Sequence, residues 1–494
     1  MKLVFRLPIV SSVAEPDFLM CVLTPTRVRQ RSLAKSPASV SLVSDPTGVS
    51  ALSRDISITH QPIGDIQPLD RPLRRRGKGQ IERLAGNIER FGCCVAILVT
   101  ASGGIIDGHA IYEACRRLKH ATVPTIVIDH LTGEELRALR LSLNRIAESS
   151  TWDPEVLAGE FAHLLAVEPD LVAFTGFDLP EIDLALTSSC IDGTDPADAL
   201  PQVPVSVVSR LGDIWDFAGG HRLLCGNARA GESYAAVLAG QRVQKVATDP
   251  PYGCCIRGYV SGRHGEFVEG SGMGEAEATV FFKGFLSVML PHLADGAIVE
   301  MFINAHGMLT LMTAARDAGL TQLTTCVWDK GLGGMGSLYR QQAEFVLVMK
   351  YGSGRHINNI ALGRHGRNRT TIWSASGLNG FGHGRQEALA LHPTVKPVGL
   401  IADALLDTSR RGGLILDPFC GSGTTLLAAH RTGRIGYGIE LNPVFVDVAV
   451  RRMEILTGAP ARHAGTRLTF AEQAERRVHE PAAQQPAAVV ASDA

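Results

Sequence analysis

Asp249-Pro250-Pro251-Tyr252 follows the short apolar-rich run Val243 to Ala247 and sets an acid, two prolines and an aromatic at an expected strand end. Proline fixes φ and donates no hydrogen bond, so this corner is rigid and its carbonyls stay available as acceptors. A carboxylate beside such a carbonyl can hold an NH2 group by its hydrogens. A tyrosine ring can stack on the flat system that carries the amine. The bland alternative is a strand-end turn with a solvated acid.

A second run reads Leu414-Ile415-Leu416, then Asp417-Pro418-Phe419-Cys420-Gly421-Ser422-Gly423-Thr424-Thr425, then a helical pattern to His430. Strand, glycine-rich turn and helix N-terminus let the backbone come close to a nucleotide-like ligand. Phosphate loops share this design, but Leu426 stands where a third glycine of G-x-G-x-x-G belongs, and no G-K-[ST] occurs. A dinucleotide or a nucleoside triphosphate is therefore disfavoured. The next strand, Ile435-Gly436-Tyr437-Gly438-Ile439-Glu440, ends in an acid 17 residues after Gly423. An acid at that strand end can accept from ribose hydroxyls, or it can simply cap the helix that follows from Pro443.

Together these residues resemble the beta group of DNA amino-methyltransferases, in which the catalytic motif precedes the cofactor motif. Asp249 to Tyr252 resembles the D-P-P-Y catalytic motif, and Asp417 to Thr425 the S-adenosylmethionine loop. His392-Pro393-Thr394-Val395-Lys396-Pro397 is similar to the segment that forms the methionine end of the pocket. The resemblance covers about 211–458. It implies catalytic roles for Asp249, Pro250, Pro251 and Tyr252. Asp417, Phe419, Gly421, Ser422, Gly423, Thr424, Glu440, Thr394 and Lys396 would then bind S-adenosylmethionine. Departures are Gly226-Asn227-Ala228, where the family often has Gly-Asp-Ser, and Ala343, where it has His. Asp before Pro-Pro-Tyr leans to adenine N6, whereas Ser there leans to cytosine N4. No Pro-Cys pair suits C5 methylation, and Cys420 lies in the cofactor loop.

The elements that must position these residues are expected from pattern. Helices are expected over 81–91, 109–118 and 132–146, the last opening with a capping box at Thr132 and Glu135. Strands are expected at 95–99, 104–108 and 123–128, so 56–150 reads as a small α/β unit. Gly104 to Leu118 is similar to the signature of the ParB/sulfiredoxin-like fold, with Ile111 where that family has an arginine gripping phosphate. A DNA-positioning or assembly role is expected for the unit, with a purely structural remnant as the alternative; nucleotide hydrolysis and nuclease activity are not expected. The full expectation is a Rossmann-like methyltransferase fold with a mixed, mostly parallel sheet over 211–458, preceded by the ParB-like domain. A disordered arm occupies 1–55, a helical extension and linker 151–210, and a disordered tail 459–494 with a short helix near 470–477.

The chain has 494 residues with 48 Lys and Arg against 49 Asp and Glu, which argues against a wholly basic nucleic-acid coat. That neutrality is an average. Between Glu344 and Glu387 there is no acid, and Lys350, Arg355, Arg364, Arg367, Arg369 and Arg385 fall there. A target-recognition segment is expected over about 330–390, with Arg355, Arg364, Arg367 and Arg369 binding DNA. A solvated basic loop is the alternative. A second basic cluster, Arg71, Arg74, Arg75, Arg76 and Lys78, is expected to hold flanking DNA. The ten cysteines show no C-x-x-C or Cys/His spacing, so no metal is expected. No stretch has the length of a membrane span, and the faintly signal-like start is broken by Arg6 and Pro8.

The resulting expectation is a cytoplasmic, nucleoid-associated enzyme that methylates adenine N6 in double-stranded DNA by base flipping. A homodimer and a cognate restriction endonuclease are further expected partners. The alternatives are cytosine-N4 methylation, methylation of RNA or protein, and a DNA-binding ParB-like regulator with an inactive methyltransferase half.

Overall fold

The computed structural model describes residues 56–68, 73, 77–187, 196–199, 201, 206–251, 272–333, 338–375 and 395–479. The chain divides after Ser57, and everything below belongs to the unit Ile58–Ala494.

The first elements are β1 (Ile58–Pro62), α1 (Lys78–Phe91), β2 (Ile97–Thr100), β3 (Ile105–Asp107), α2 (His109–Arg117), β4 (Thr122–Ile128) and α3 (Gly133–Glu148). The strands form one sheet in the order β1-β4-β2-β3. α3 opens as its sequence requires: Glu135 Oε2 accepts from Thr132 N at 2.8 Å, and Thr132 Oγ1 accepts from Glu135 N at 3.4 Å. Gly108 turns from β3 into α2 with φ +95°, and a Cβ there would lie 3.2 Å from the Ile97 backbone. Only glycine meets both demands. Ile111, at the position of the expected arginine, packs against the core of this sheet.

Two helices follow, α4 (Pro154–Val167) and α5 (Leu179–Thr187), with a 3-10 turn at Pro169–Phe174 between them. Asp153 caps α4 by accepting from Glu155 N and Val156 N. Phe161, Val172 and Ile182 form the small core of this pair.

The large sheet begins with β5 (Ile214–Asp216), β6 (Arg222–Cys225), α6 (Gly231–Leu238), β7 (Val243–Thr248), α7 (Glu275–Met289), β8 (Leu293–Ile303) and α8 (Met308–Asp317). It continues with β9 (Thr321–Asp329), β10 (Ala343–Lys350), β11 (Ile372–Ser374), α9 (Val398–Thr408), β12 (Leu414–Asp417) and α10 (Thr424–Arg431). β13 (Ile435–Glu440), α11 (Pro443–Thr457), β14 (Arg462–His463) and α12 (Phe470–His479) complete it. The strand order is β11-β9-β10-β8-β7-β12-β13-β6-β5-β14. Five central strands, β8 through β6 in that order, are parallel. α6, α7 and α8 cover one face, and α9, α10 and α11 the other. Burial on both faces explains why β12 reads as an unbroken apolar run.

The connections diverge between β7 and β12: one leads through α7 to β8, the other through α10 to β13 on the opposite side. Ligands of open α/β sheets bind at such a switch point, beyond the carboxyl ends of the strands. Asp249 and the Asp417 loop both lie there.

The expected tail is corrected in part. β14 pairs with β5, Phe470 is buried against Trp215, and Arg477 forms an ion pair with Asp213 at 2.5 Å. The chain is therefore packed as far as α12. Its few apolar anchors, Ala461 and Phe470, are too widely spaced to show a period.

Candidate active site

β7 delivers Asp249 and β12 delivers Asp417 at adjacent strand ends, and Thr248 ties the two. Thr248 Oγ1 donates to Asp417 Oδ1 at 2.7 Å. Asp417 also accepts from Thr425 Oγ1 at 2.6 Å and from Phe419 N at 3.1 Å. Burial pushes its carboxyl up to about 6 against the pull of these hydrogen bonds. Asp417 is the organiser of the loop: it closes the turn on itself and fastens it to β7.

The loop is shaped by close packing. Gly423 has φ +86°, and a Cβ there would lie 2.8 Å from Ala449 Cβ of α11. Ser422 and Thr424 are held from behind by Arg452, a buried α11 residue whose guanidinium donates to Ser422 O at 2.8 Å, Ser422 Oγ at 3.0 Å and Thr424 Oγ1 at 3.3 Å. Phe419 packs edge-on against Phe285 at 5.1 Å. Cys420 lies buried against Gly438, and burial pushes its thiol well above the usual range, as suits a packing residue. Gly421 N donates to Glu440 Oε2, and Asn442 N to Glu440 Oε1, both at 2.8 Å. Glu440 is half-buried at the rim, and burial pushes its carboxyl up to about 7.

Asp249 sits in a line of alternating charge. Lys396 Nζ lies 2.5 Å from Asp249 Oδ2 and 3.1 Å from Glu344 Oε2, and Lys330 Nζ lies 2.5 Å from Glu344 Oε1. The Lys396 ammonium lies 5.2 Å from the Phe302 ring and 5.7 Å from the Trp328 ring, and is nearly buried. Burial alone would lower its affinity for protons, but Asp249 and Glu344 together raise it above the ordinary value. For Glu344, burial is likewise outweighed by the two lysines, which hold the carboxyl low. Lys396 and Glu344 are thus each held in the charged form by their neighbours.

Lys396, expected from its motif among the cofactor ligands, has its ammonium on the Asp249 carboxylate. Pro250 is buried and Pro251 half-buried at the same corner. Tyr252 and Thr394 lie outside the described residues.

The expected DNA-binding arginines are not gathered here. Lys350 pairs with Ile298, which pairs with Lys245, so β10 ends at the level where β7 begins. At about 3.3 Å per residue that is roughly 13 Å below Asp249. The 351–369 segment stays at that end: Asn359 is buried and donates to Leu406 O and Ser409 O. Arg367 bonds Asp407 at 2.8 Å and Asp403 at 3.3 Å, and Arg369 reaches Asp403 at 2.7 Å and Asp407 at 2.8 Å. These two guanidiniums anchor the segment to α9 and are not offered to phosphate. Arg355 and Arg364 are exposed, but on the same far end. Arg385 and the cluster Arg71, Arg74, Arg75 and Arg76 lie outside the described residues, and Lys78 is exposed at the start of α1.

Residues 243–451 match the family model described as DNA methylase. Residues 155–211 match the ParB-methyltransferase HTH domain, over the stretch whose sequence reads as helical extension and linker. Over 106 residues the chain is 32% identical to the type II methyltransferase M.ScaI of Streptomyces caespitosus, covering 22% of this chain and 35% of the relative. Over 100 residues it is 32% identical to the type II methyltransferase M.HpaI of Haemophilus parainfluenzae, covering 20% and 29%. The chain spans about a third of the length of these curated relatives. Among solved structures, the PvuII DNA methyltransferase (cytosine-N4-specific) overlays with a TM-score of 0.37 at 16% identity, covering 53% of this chain and 94% of that one. The chain thus carries a DNA methylase domain joined to a ParB-methyltransferase HTH segment. Among the described residues, no helix is long and apolar enough to cross a membrane.

Proposed function

We propose that the chain is an S-adenosylmethionine-dependent methyltransferase acting on the N6 amine of adenine in double-stranded DNA. The observation that carries this reading is the joining of Asp249 to the Asp417 loop through Thr248, which sets an amine-holding corner beside a glycine-turn loop.

The residues of the loop fit the cofactor. The loop turns on Gly421 at φ +52° and Gly423 at φ +86°, Phe419 offers an aromatic edge, and Glu440 sets a carboxylate where ribose hydroxyls would donate. When bound, S-adenosylmethionine supplies a methyl group made electrophilic by its sulfonium. The chain's own residues do the rest. Asp249 accepts one amine hydrogen and the Pro250 carbonyl the other, so the nitrogen lone pair is drawn out of the ring towards the methyl group, and the proton that methylation displaces leaves by way of the Asp249 carboxylate. Lys396 keeps Asp249 oriented. Tyr252 stacks on the base, which must leave the duplex to reach the corner. Alignment of this kind can supply several of the roughly 7–11 kcal/mol available from proximity.

Cytosine N4 is the second reading, since its exocyclic amine presents the same hydrogens. Asp rather than Ser before Pro-Pro-Tyr favours adenine. The relatives' designation as type II methyltransferases supports a cognate restriction endonuclease as partner. The test is incubation with methyl-labelled S-adenosylmethionine and unmethylated DNA, followed by mass spectrometry of the nucleosides. N6-methyladenine is the expected product. Label in N4-methylcytosine would overturn the choice of base, and label confined to RNA or protein would overturn DNA as substrate.

A further inference from the structure

The segment matching an HTH domain has an unusual charge. No Lys or Arg occurs between Arg145 and Arg210, while twelve Asp and Glu fall in that interval. A DNA-reading helix-turn-helix sends its second helix into the major groove and needs cations against the phosphates. Here the second helix, α5, carries Glu181 and Asp183 and no cation, and none of the residues 180–187 is exposed. Its face is already taken by the chain itself.

We infer that this segment does not read DNA but works as an acidic clasp, fixing the ParB-like unit and the 359–369 segment onto the methylase domain. Three sets of contacts carry the inference. Towards the ParB-like unit, α1 supplies Arg83, which bonds Asp178 at 3.2 Å and Gly176 O at 2.9 Å, Asn87, which donates to Phe174 O at 2.6 Å, and Arg90, which meets Glu168 at 3.0 Å. Towards the methylase domain, the buried Asp183 pairs with Arg434 at 2.8 Å and Arg411 at 3.1 Å. Towards the 359–369 segment, His365 Nδ1 lies 3.4 Å from Asp178 Oδ2. Gly366, at φ +78°, leaves only 3.1 Å between a built Cβ and Leu184.

The segment also reaches the opposite end of the sheet. Asp198 Oδ1 accepts from Val398 N at 2.8 Å, two residues beyond Lys396, and Ala197 O accepts from Arg452, which holds Ser422 and Thr424. One acidic strap therefore touches the base of α9, its N-terminus and the support of the cofactor loop. Glu168, Asp178, Asp183 and Asp198 are spent on the chain's own cations and amides, and the excess of acids in the segment would repel a phosphate backbone.

The inference rests on the proposed reading only in taking DNA as the partner. The test is amide hydrogen exchange on the full chain, with and without an unmethylated plasmid fragment. In the free protein, Asp178→Ala should speed exchange tenfold or more in 83–91 and 359–369 while leaving β7 and β12 unchanged; unaltered exchange in both segments overturns the clasp. With DNA added to the wild-type chain, 154–187 should gain no protection although other segments do. Protection of 154–187 overturns the inference. Absence of protection anywhere overturns DNA as partner instead. A combined Val156→Ala, His163→Ala and Leu179→Ala variant should bind the fragment within twofold of wild type. A tenfold loss would show that these exposed positions touch DNA.

Discussion

Replacing Lys396 with Met removes the cation that lies between Asp249 and Glu344, and the structure sets the size of the effect. Breaking a buried ion pair by deleting one partner costs about 3–5 kcal/mol, because the charge left behind is uncompensated. Two features reduce that figure. Glu344 keeps Lys330 at 2.5 Å, and the Asp249 side chain is 20% exposed, so water can reach it. A loss of about 2–3 kcal/mol remains, which in a domain of this size lowers Tm by about 5–10 °C. The freed carboxylate also loses its orientation, and a misplacement of about 1 Å costs on the order of 100-fold in rate. Thermal unfolding and single-turnover methyl transfer should both report the change, while calorimetric binding of S-adenosylmethionine should alter little. Glu344→Gln should cost less in the Lys396→Met background than in the wild type, the non-additivity by which a double-mutant cycle reads coupled charges. The reasoning is refuted if Lys396→Met leaves Tm and transfer near wild type and weakens only cofactor binding. Lys396 would then serve the cofactor, as its motif suggests, and not Asp249.

Other outcomes follow from the same geometry. Asp249→Ala should abolish transfer and leave cofactor affinity largely intact; retained transfer would remove it from its assigned role. Gly423→Ala should cost about 2–4 kcal/mol, from a left-handed backbone and a Cβ pressed against Ala449, visible as a lower Tm and lost cofactor binding. Asp417 and Glu440 are raised to about 6 and about 7, so each favours the folded state most when protonated. Their contribution is full below their ordinary range near pH 4 and lost as pH rises through 6 and 7. Because ribose hydroxyls prefer an ionised Glu440, cofactor binding near pH 6.5 should release protons. Calorimetry in buffers of different ionisation enthalpy measures this, and Glu440→Gln should remove most of the release. Asp198→Ala should cost about 1 kcal/mol through the lost cap of α9, read by thermal unfolding.

The sequence by itself determined what is local. Asp249-Pro250-Pro251, the Asp417 to Thr425 loop and Glu440 are each a strand end and its turn, and strand, glycine turn and helix declare themselves in successive residues. The helices and three of the four strands of the small N-terminal unit were legible for the same reason, down to the capping box at Thr132, whereas β1 was not. Tertiary structure alone decided the partners. Lys396 lies 147 residues from the carboxylate it holds. Arg452, which supports the Asp417 loop from α11, carried no signal at all, since nothing in the sequence sets it apart from its neighbour Arg451. The acid-free stretch misled because charge counted along a chain ignores what packs across it. Arg367 and Arg369 find Asp403 and Asp407 on a helix some 40 residues later and turn inward. The acidic interval before Arg210 reads as linker for the same reason, and only the fold supplies the arginines that make it a clasp. Ion pairs are set by distance in space, and a sequence records only distance along the chain.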